Sequence, residues 1–322
     1  MPSSPPQRIA IVGAGALGGL YGGLLQRAGH EVLFVARSAS EALTKDGLTV
    51  RLPEESFTIP VNACRETTSQ KPVDLVLICG KATENPALAK HLPPLLQDHT
   101  RIVTLQNGMG NAEFFAKAVG SERILGGLCF VCTNRTGPTE ITCTTLGKIE
   151  FAEAFPSSRD RAPIIAELFS QAGIPSRAFP SLEEIQWRKL AWNIPFNGLA
   201  IVGGGITTDR IMASAELVQL GQTLMAEISR AAKSRGYSLE QEFLEKQFNK
   251  TRHMGSYAPS SLLDYQAGKA VEVEPIFGIP LRRAEESGIA LPTLRALYLL
   301  LSHLVQSRTD SAEKIANEGP PV

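Results

Sequence analysis

The stretch Arg8-Ile-Ala-Ile-Val-Gly-Ala-Gly-Ala-Leu-Gly18 places a glycine-rich turn between an apolar run and an apolar helical segment. Residues 8–12 have the length and composition of a short buried β-strand. Residues 16–28 have the composition of a helix, and Gly29 follows them, as glycine often follows the last residue of a helix. The stretch therefore predicts a strand, a tight turn and a helix in direct succession, as in the first part of a β-α-β unit.

The glycines of this turn follow the spacing Gly-x-Gly-x-x-Gly, which is typical of a dinucleotide-binding loop when it joins a strand to a helix. Gly13 would form the tight turn, Gly15 would let the backbone approach a pyrophosphate, and Gly18 would let the helix pack closely on the strand. Ala16 and Leu17 open the helix, so their N–H groups would face the anion. We predict that these five residues bind a cofactor.

The first half of the chain continues to alternate strands and helices. Its segments are strands at 31–36, 74–79 and 101–105, a hairpin at 48–61, a helical segment near 87–96, Thr-rich strands at 125–151, a helix at 159–172 and a strand at 174–179. Such alternation predicts an α/β domain with a mostly parallel, doubly wound sheet. Beyond residue 182 the pattern becomes almost entirely helical.

These patterns predict two domains with short flexible ends. Residues 1–7 would be a flexible N-terminus and residues 8–182 the nucleotide-binding domain. Residues 183–308 would form an all-α domain that carries the substrate and the catalytic groups. The polar residues 309–322 would be a flexible tail.

Composition excludes several classes of function. The chain has 322 residues, with 32 basic and 32 acidic side chains, so no strong charge favours nucleic acid or an anionic membrane as a partner. It contains no apolar run of the roughly 18–20 residues that cross a bilayer. Its start is short and Pro-rich, unlike a secretory signal, so a cytoplasmic location is expected.

Cysteines and histidines do not indicate a metal site or a disulfide framework. Five cysteines in a chain of this length are too few for a disulfide scaffold. Cys129 and Cys132 form a lone Cys-x-x-Cys without a second pair, so packing within a strand explains them better than metal binding. The five histidines are scattered. We expect no metal.

Polar residues that follow the predicted strands indicate the choice of cofactor. A carboxylate at the end of the second strand would bind the ribose 2′-hydroxyl of NAD, but this strand ends at Ala36 and is followed by Arg37. An arginine there would pair with a 2′-phosphate, which favours NADP(H). Lys81 and Asn107 follow two further strands, where ligands of such sheets bind.

A second unusual pattern lies in the helical half. Lys189, Asn193 and Asn197 are spaced at i, i+4 and i+8, so on a helix they share one face. A solvated face would normally use Glu and Lys rather than two asparagines, which are mediocre helix formers. Pro195 makes the alignment of Asn197 the least secure of the three, because proline can kink a helix.

Taken together, these motifs resemble the ketopantoate reductase (2-dehydropantoate 2-reductase) family over about residues 7–305. The resemblance rests on the glycine fingerprint, Val-Ala-Arg37, Gly-Lys81-Ala, Leu-Gln-Asn107-Gly-Met-Gly, the segment 187–197 and the segment 259–274. It implies a Rossmann-type domain followed by a 6-phosphogluconate-dehydrogenase-like all-α domain. It also implies reduction of the 2-keto group of ketopantoate by NADPH to give pantoate, a precursor of coenzyme A.

The resemblance assigns roles to individual residues. Lys189 matches the family's general acid, and Glu272 matches the acidic residue near the nicotinamide and the lysine. Asn193, Asn197 and Ser260 match substrate-binding residues. Asn107 and Lys81 match groups at the junction of cofactor and substrate, so Asn107 is predicted to contact both ligands.

The implied chemistry agrees with these residue types. Hydride arriving at a ketone carbon leaves charge developing on the oxygen, and a lysine ammonium can stabilise that charge and deliver the proton. Burial would lower the lysine pKa, and a nearby Glu272 would raise it. For Ser260, a second interpretation is that it caps the helix that follows.

Departures from the family leave the substrate more open than the reaction. Thr207 stands where pantoate reductases can supply another asparagine, and Pro275 and Phe277 alter the segment after Glu272. A related reductase of another 2-keto or 3-keto acid, a β-hydroxyacid dehydrogenase and a non-catalytic NADP-binding sensor are the alternatives. The apolar last helix, residues 296–305, could pack within its domain or on a second copy, so a homodimer is also open.

Overall fold

The computed structural model describes residues 5–156 and 159–318, which divide into two compact units. The first unit is Met1–Ile185 and the second is Gln186–Val322. The division lies close to the predicted boundary after residue 182. It falls within one helix, Leu182–Val202, so this helix begins in the first unit and continues into the second.

In the N-terminal unit the described residues form one ten-stranded sheet. Its strands are β1 (Arg8–Val12), β2 (Glu31–Val35), β3 (Leu48–Arg51), β4 (Ser56–Ile59), β5 (Asn62–Cys64), β6 (Leu75–Ile78), β7 (Arg101–Thr104), β8 (Ile124–Arg135), β9 (Glu140–Glu153) and β10 (Ser176–Ala178). Its α-helices are α1 (Ala16–Arg27), α2 (Ser40–Asp46), α3 (Asn85–Ala89), α4 (Asn111–Val119) and α5 (Ala162–Gln171). Short 3-10 turns occupy Ala82–Glu84, Pro93–Leu95 and Ser121–Arg123.

The sheet is mixed, with a parallel centre. Its order is β4-β3-β9-β8-β7-β6-β1-β2-β5, and β10 pairs with β9. The pairs β8–β9 and β3–β4 are antiparallel, whereas the strands from β8 to β5 are parallel neighbours. The pair β3–β4 is the predicted hairpin.

Alternate side chains of β1 enter two different hydrophobic cores. Ile9 and Ile11 pack in the core that contains residues of α1 and α5, while Ala10 and Val12 pack in the core that contains residues of α3 and α4. Side chains alternate between the two faces of a strand, so β1 is covered on both faces. Central strands of parallel sheets are buried in this way, and their sequences are therefore continuously apolar. The predicted doubly wound α/β architecture is confirmed.

The predicted helical segment at residues 87–96 is shorter in the structure. Helix α3 ends at Ala89, and a 3-10 turn follows at Pro93–Leu95. The sequence explains the break, because Pro93 and Pro94 lack the N–H groups that a continuing helix would use.

The C-terminal unit is helical throughout its regular elements. Its helices are α6 (Leu182–Val202, shared with the first unit), α7 (Thr208–Ala213), α8 (Ala215–Ser234), α9 (Gln241–Arg252), α10 (Ser260–Gln266), α11 (Ile279–Glu286) and α12 (Pro292–Glu318), with a π-helical turn at Glu274–Gly278. The buried Glu227 of α8 accepts hydrogen bonds from the backbone N–H groups of Thr293 and Leu294, at 3.0 and 2.9 Å. A carboxylate thus caps the N-terminus of α12, where its charge also complements the helix dipole.

The ends of the chain differ in part from prediction. Residues 5–7 have no regular secondary structure, and residues 1–4 of the predicted flexible N-terminus lie outside the described residues. Helix α12 continues to Glu318, into the segment from residue 309 for which a flexible tail was predicted, and the flexibility of that segment stays a prediction. Residues 312–316 include Ala, Glu and Lys, which readily extend a helix that has already formed. Residues 319–322 lie outside the described residues.

No helix within residues 5–156 and 159–318 is long and apolar enough to cross a membrane.

Candidate functional site

The glycine-rich loop between β1 and α1 has the geometry that its sequence predicts. Gly13 has φ +95°, and a Cβ on it would lie 2.3 Å from the backbone nitrogen of Gly80. A Cβ on Gly18 would lie 2.4 Å from the Gly13 carbonyl oxygen and 2.8 Å from the Ile11 side chain. Glycine is therefore required at both positions, at Gly13 for conformation and contact and at Gly18 for close helix–strand packing.

The start of α1 leaves space for a ligand. Apart from Gly15 itself, its two chain neighbours and the adjacent helix backbone, no heavy atom of the described residues comes within 4 Å of a Cβ built on Gly15. Gly15 is the N-cap residue of α1, and no described side chain caps this end of the helix. The N–H groups of a helix start attract anions, and Ala16 and Leu17 begin this helix. The residues present therefore fit a dinucleotide pyrophosphate.

Arg37 lies beyond the carboxyl end of β2, as predicted, and it has an acidic partner. Its guanidinium Nη2 lies 3.2 Å from Oε1 of Glu84, which belongs to the 3-10 turn after β6. The Arg37 side chain is 78% exposed. The cation is therefore accessible, but a carboxylate already contacts it.

Lys81 and Asn107 occupy the loops that follow β6 and β7, which are neighbouring parallel strands. The carboxyl ends of parallel strands meet at the same edge of a sheet. Both residues are half-buried, and the close approach of Gly13 to Gly80 brings the Lys81 loop against the fingerprint loop. Three of the four predicted cofactor segments, namely the fingerprint loop and the loops of Lys81 and Asn107, thus lie at one edge of the sheet.

A buried network of side-chain amides joins the same two loops, and sequence reasoning did not identify it. The Gln106 Nε2 group donates to the Gly80 carbonyl at 2.8 Å and to Asn85 Oδ1 at 2.7 Å. Gln106 Oε1 in turn accepts from the Thr104 hydroxyl at 3.0 Å. Gln106 therefore holds the carbonyl of the residue before Lys81.

The network continues to the second loop. Asn85 donates to Asn111 Oδ1, and Asn111 donates to the Asn107 carbonyl, each at 2.9 Å. The side chains of Thr104, Gln106, Asn85 and Asn111 are all at least nine-tenths buried. Every link points in one direction, and such chains of hydrogen bonds reinforce one another. The signal for this network in the sequence was the run of polar residues directly after the buried strand β7. By itself, such a run resembles an ordinary turn.

In the C-terminal unit, α6 carries the predicted face of Lys189, Asn193 and Asn197. The helix continues through Pro195, so the three residues remain on one side. Lys189 is half-buried, while Asn193 is 6% and Asn197 1% exposed. Burial of two amides on a helix face requires hydrogen-bond partners for them.

Asn197 finds its partners at the start of α10. Its Nδ2 donates to the Asn193 carbonyl at 3.1 Å, and its Oδ1 accepts from the Ser261 backbone N–H at 2.9 Å. The Ser260 hydroxyl lies 3.5 Å from the same oxygen. Asn197 therefore fixes the position of Ser260, which is itself exposed.

The alternative interpretation of Ser260 as a helix cap is wrong. The N-cap residue of α10 is Pro259, and Ser260 is the first helical residue. The Oδ1 atom of Asn197, from helix α6, accepts the hydrogen bond of the Ser261 N–H group, which the side chain of a local N-cap residue would otherwise accept. The Ser260 hydroxyl is consequently not used as a cap.

Glu272 lies beside the π-helical turn Glu274–Gly278, and its carboxylate side chain is 7% exposed. Turns of this kind occur often at functional sites. Pro275 occupies the first turn of that segment, where proline is tolerated because no helical N–H bond is lost.

Two of the three departures from the family, Phe277 and Thr207, have structural explanations in the helical unit. Phe277 is fully buried, and its ring comes within 3.1 Å of a Cβ built on Gly198 of α6. It therefore belongs to the core of the helical unit. Thr207 is the N-cap residue of α7, and its hydroxyl hydrogen-bonds the Asp209 carboxylate.

The cysteines at 64, 79, 129, 132 and 143 are free thiols. Cys129 and Cys132 lie in β8, where packing was expected. Burial raises the pKa of the Cys79 thiol well above its ordinary value, so this thiol stays protonated. In the described part of the chain, no group of three or more His, Cys, Asp or Glu side chains could hold a metal ion.

Known proteins resemble the chain over nearly its full length. The sequence model described as ketopantoate reductase PanE/ApbA matches residues 9–155, and that of the PanE/ApbA C terminal matches residues 181–305. The 2-dehydropantoate 2-reductase of Nostoc sp. is 37% identical over 304 residues, which cover 92% of this chain and 95% of the relative. The enzyme of the same name from Archaeoglobus fulgidus is 28% identical, covering 92% of this chain and 97% of the relative.

Solved structures of other proteins also resemble this chain over nearly its full length. The crystal structure of 2-dehydropantoate 2-reductase from Geobacter metallireducens has a TM-score of 0.88 at 37% identity, covering 93% of this chain and 99% of that one. D-mandelate dehydrogenase with NADH and anilino(oxo)acetate shares the fold, with a TM-score of 0.86 at 22% identity, covering 94% of this chain and 99% of that one. From the matches to both parts of the family and to these relatives, we conclude that the chain belongs to the ketopantoate reductase (PanE/ApbA) family.

Proposed function

We propose that this chain reduces the 2-keto group of 2-dehydropantoate to pantoate with NADPH. The observation that carries the proposal is the face of α6, where Lys189 and two buried amides align and Asn197 fixes Ser260. The relatives named 2-dehydropantoate 2-reductase add the substrate. The product would serve pantothenate and coenzyme A synthesis.

We assign the cofactor to the N-terminal unit. Gly13, Gly15 and Gly18, with the N–H groups of Ala16 and Leu17, would hold the pyrophosphate. Arg37 would bind the 2′-phosphate. Lys81 and Asn107 would bind near the nicotinamide end, and the amide network supports this by fixing their loops. When bound, NADPH supplies the hydride for the keto carbon.

We assign substrate and proton transfer to the C-terminal unit. The Lys189 ammonium would hydrogen-bond the keto oxygen, stabilise the charge that develops there and deliver the proton. Glu272 would favour the charged form of Lys189 through its own negative charge. Asn193, Asn197 and Ser260 would orient the substrate, with Ser260 binding its carboxylate end. Asn107 would also bind the substrate.

The decisive experiment is a kinetic comparison of keto acids. NADPH oxidation would be followed with ketopantoate, other branched 2-keto acids, phenylglyoxylate and 3-keto acids under the same conditions. We expect the highest kcat/KM for ketopantoate. A higher value for another acid would identify a paralogous reductase. Tight NADPH binding with no turnover of any acid would instead favour a sensor.

Location and assembly remain proposals. Free thiols are typical of a reducing compartment, so we propose that the protein acts in the cytoplasm.

For a homodimer, the side chains that a second copy would cover are Leu299 and Leu300 of α12, which are 60% and 55% exposed. Light scattering on the wild type and on a Leu299→Ser/Leu300→Ser variant would test this, since a dimer built on this face should dissociate.

A further inference from the structure

The ion pair between Arg37 and Glu84 crosses the end of β1. Arg37 follows β2 and Glu84 follows β6, and these two strands flank β1 in the sheet. The guanidinium Nη2 and the carboxylate Oε1 are 3.2 Å apart. The pair therefore lies beside the point at which β1 leads into the fingerprint loop.

Stability does not account for this pair. The two side chains are 78% and 41% exposed, and exposed ion pairs contribute little to the free energy of unfolding. The ion pair does change the charge that a ligand meets at Arg37, because the Glu84 carboxylate offsets the positive charge of the guanidinium. A guanidinium uses the same donor geometry for a carboxylate as for a phosphate, so Glu84 competes for the donors of Arg37.

The nature of the 2′ substituent decides how a cofactor responds to Glu84. A 2′-phosphate approaching Arg37 would be repelled by a carboxylate already in contact with that side chain. A 2′-hydroxyl, in contrast, can donate a hydrogen bond to a carboxylate. Dinucleotide-binding folds that use NAD place such a carboxylate at the end of the second strand. Here the carboxylate comes from the turn after β6 and contacts Arg37, which follows the end of the second strand.

We propose that Glu84 is a specificity-determining residue that weakens binding of the 2′-phosphorylated cofactor and supports binding of the unphosphorylated one. The inference rests on the proposed function, namely that this unit binds a nicotinamide dinucleotide through Arg37. It predicts that the wild type uses NADH as well as NADPH. The fold permits this, since D-mandelate dehydrogenase has the same fold with NADH bound.

The test is Glu84→Gln, which removes the charge and keeps the size of the side chain. Dissociation constants for NADP⁺ and NAD⁺ would be measured by calorimetry, without any substrate. Two unit charges about 4 Å apart in water interact by about 1 kcal/mol, which converts to about fivefold in affinity. We expect NADP⁺ to bind about fivefold more tightly to the variant and NAD⁺ to bind equally or more weakly. The gain should shrink at high salt, because the pair is exposed.

Two further variants make the test specific. Glu54→Gln removes an exposed charge from the β3–β4 turn and should leave both affinities unchanged. In an Arg37→Ala background the gain from Glu84→Gln should be smaller than fivefold, because only the direct repulsion between the carboxylate and the 2′-phosphate remains. A full fivefold gain in that background would contradict competition for Arg37.

The outcomes separate this inference from the proposed function. If the wild type binds neither dinucleotide, the proposed function fails and the inference fails with it. If the wild type binds NADP⁺ and Glu84→Gln leaves that affinity unchanged, the inference alone is overturned. Equal tightening of NADP⁺ and NAD⁺ would also overturn it, because the effect would then not depend on the 2′-phosphate.

Discussion

At the scale of single residues, Asn197 combines a structural and a functional role. Its amide is 1% exposed, donates to the Asn193 carbonyl and accepts from the Ser261 backbone. A resemblance to the family assigns Asn197 to substrate binding. The structure adds that both ends of the amide have protein partners, so its influence on the substrate would act largely through Ser260.

Asn197→Ala should therefore affect both stability and substrate binding. The buried Ser261 N–H would lose its acceptor, which lowers the free energy of unfolding by about 1–3 kcal/mol. The KM for the keto acid should rise because Ser260 loses its support. Urea unfolding and steady-state kinetics measure the two effects, and the exposed Asn249→Ala is the matched control. Wild-type stability in Asn197→Ala would contradict the assigned contacts.

His30 provides a pH-dependent term in stability. Burial lowers the pKa of its imidazole from the ordinary value, and its Nδ1 accepts from the Gln7 backbone N–H at 3.2 Å. Above about pH 6.5 the ring is neutral in both the folded and the unfolded chain. As the pH falls below that value, the unfolded chain takes up the proton first, so stability decreases until the lower folded pKa is passed.

His30→Asn keeps an acceptor for Gln7 and does not titrate. We expect its melting temperature to fall less than that of the wild type between about pH 7.5 and about pH 5.5. The exposed His303→Asn should keep the wild-type pH dependence. Identical pH profiles for His30→Asn and the wild type would show that this ring contributes nothing to the acid loss of stability.

At the scale of elements, the amide network ties the ends of β6 and β7 together. Gln106→Glu keeps the acceptor for Thr104 but cannot donate to Gly80 or Asn85. We expect a loss of about 1–3 kcal/mol in the free energy of unfolding and a weaker affinity for NADPH. Gln106→His would restore one donor and should recover part of the NADPH affinity.

Calorimetric titration with NADPH measures that affinity, and the exposed Gln219→Glu on α8 serves as the control for the charge. If Gln106→Glu is less stable but binds NADPH as tightly as the wild type, the amide network has only a structural role.

The elements near β1 could be predicted from sequence because local patterns determine them. The apolar run 8–12, the glycine spacing and the helix start are all contiguous, and the predicted strand and helix agree with the structure. The amide network could not be predicted, because its members lie on four separate elements and each resembles an ordinary polar turn residue. The ion pair of Arg37 with Glu84 was missed for the same reason, since it depends on strand order.

At the scale of the whole molecule, the predicted domain boundary after residue 182 lies close to the division between the two compact units. The change from alternating to helical patterning marks it, and the structure divides after Ile185. Helix α12 extends to Glu318, beyond the predicted end of the helical domain at residue 308, and Ala312, Glu313 and Lys314 in this extension are good helix formers. Phe277 was expected to alter the substrate pocket, but it is fully buried in the core of the helical unit, with its ring close to Gly198.

The central claim is that Lys189 is the proton donor in a reduction for which NADPH supplies the hydride. Its most direct test compares Lys189→Ala with the wild type for oxidation of NADPH by saturating ketopantoate, with the affinity for NADPH measured in parallel. Lys233→Ala, an exposed lysine of α8, is the control. The account predicts that kcat falls by about 10²–10⁴-fold in Lys189→Ala while the NADPH dissociation constant changes by less than about twofold. A Lys189→Ala enzyme with the wild-type kcat would contradict it.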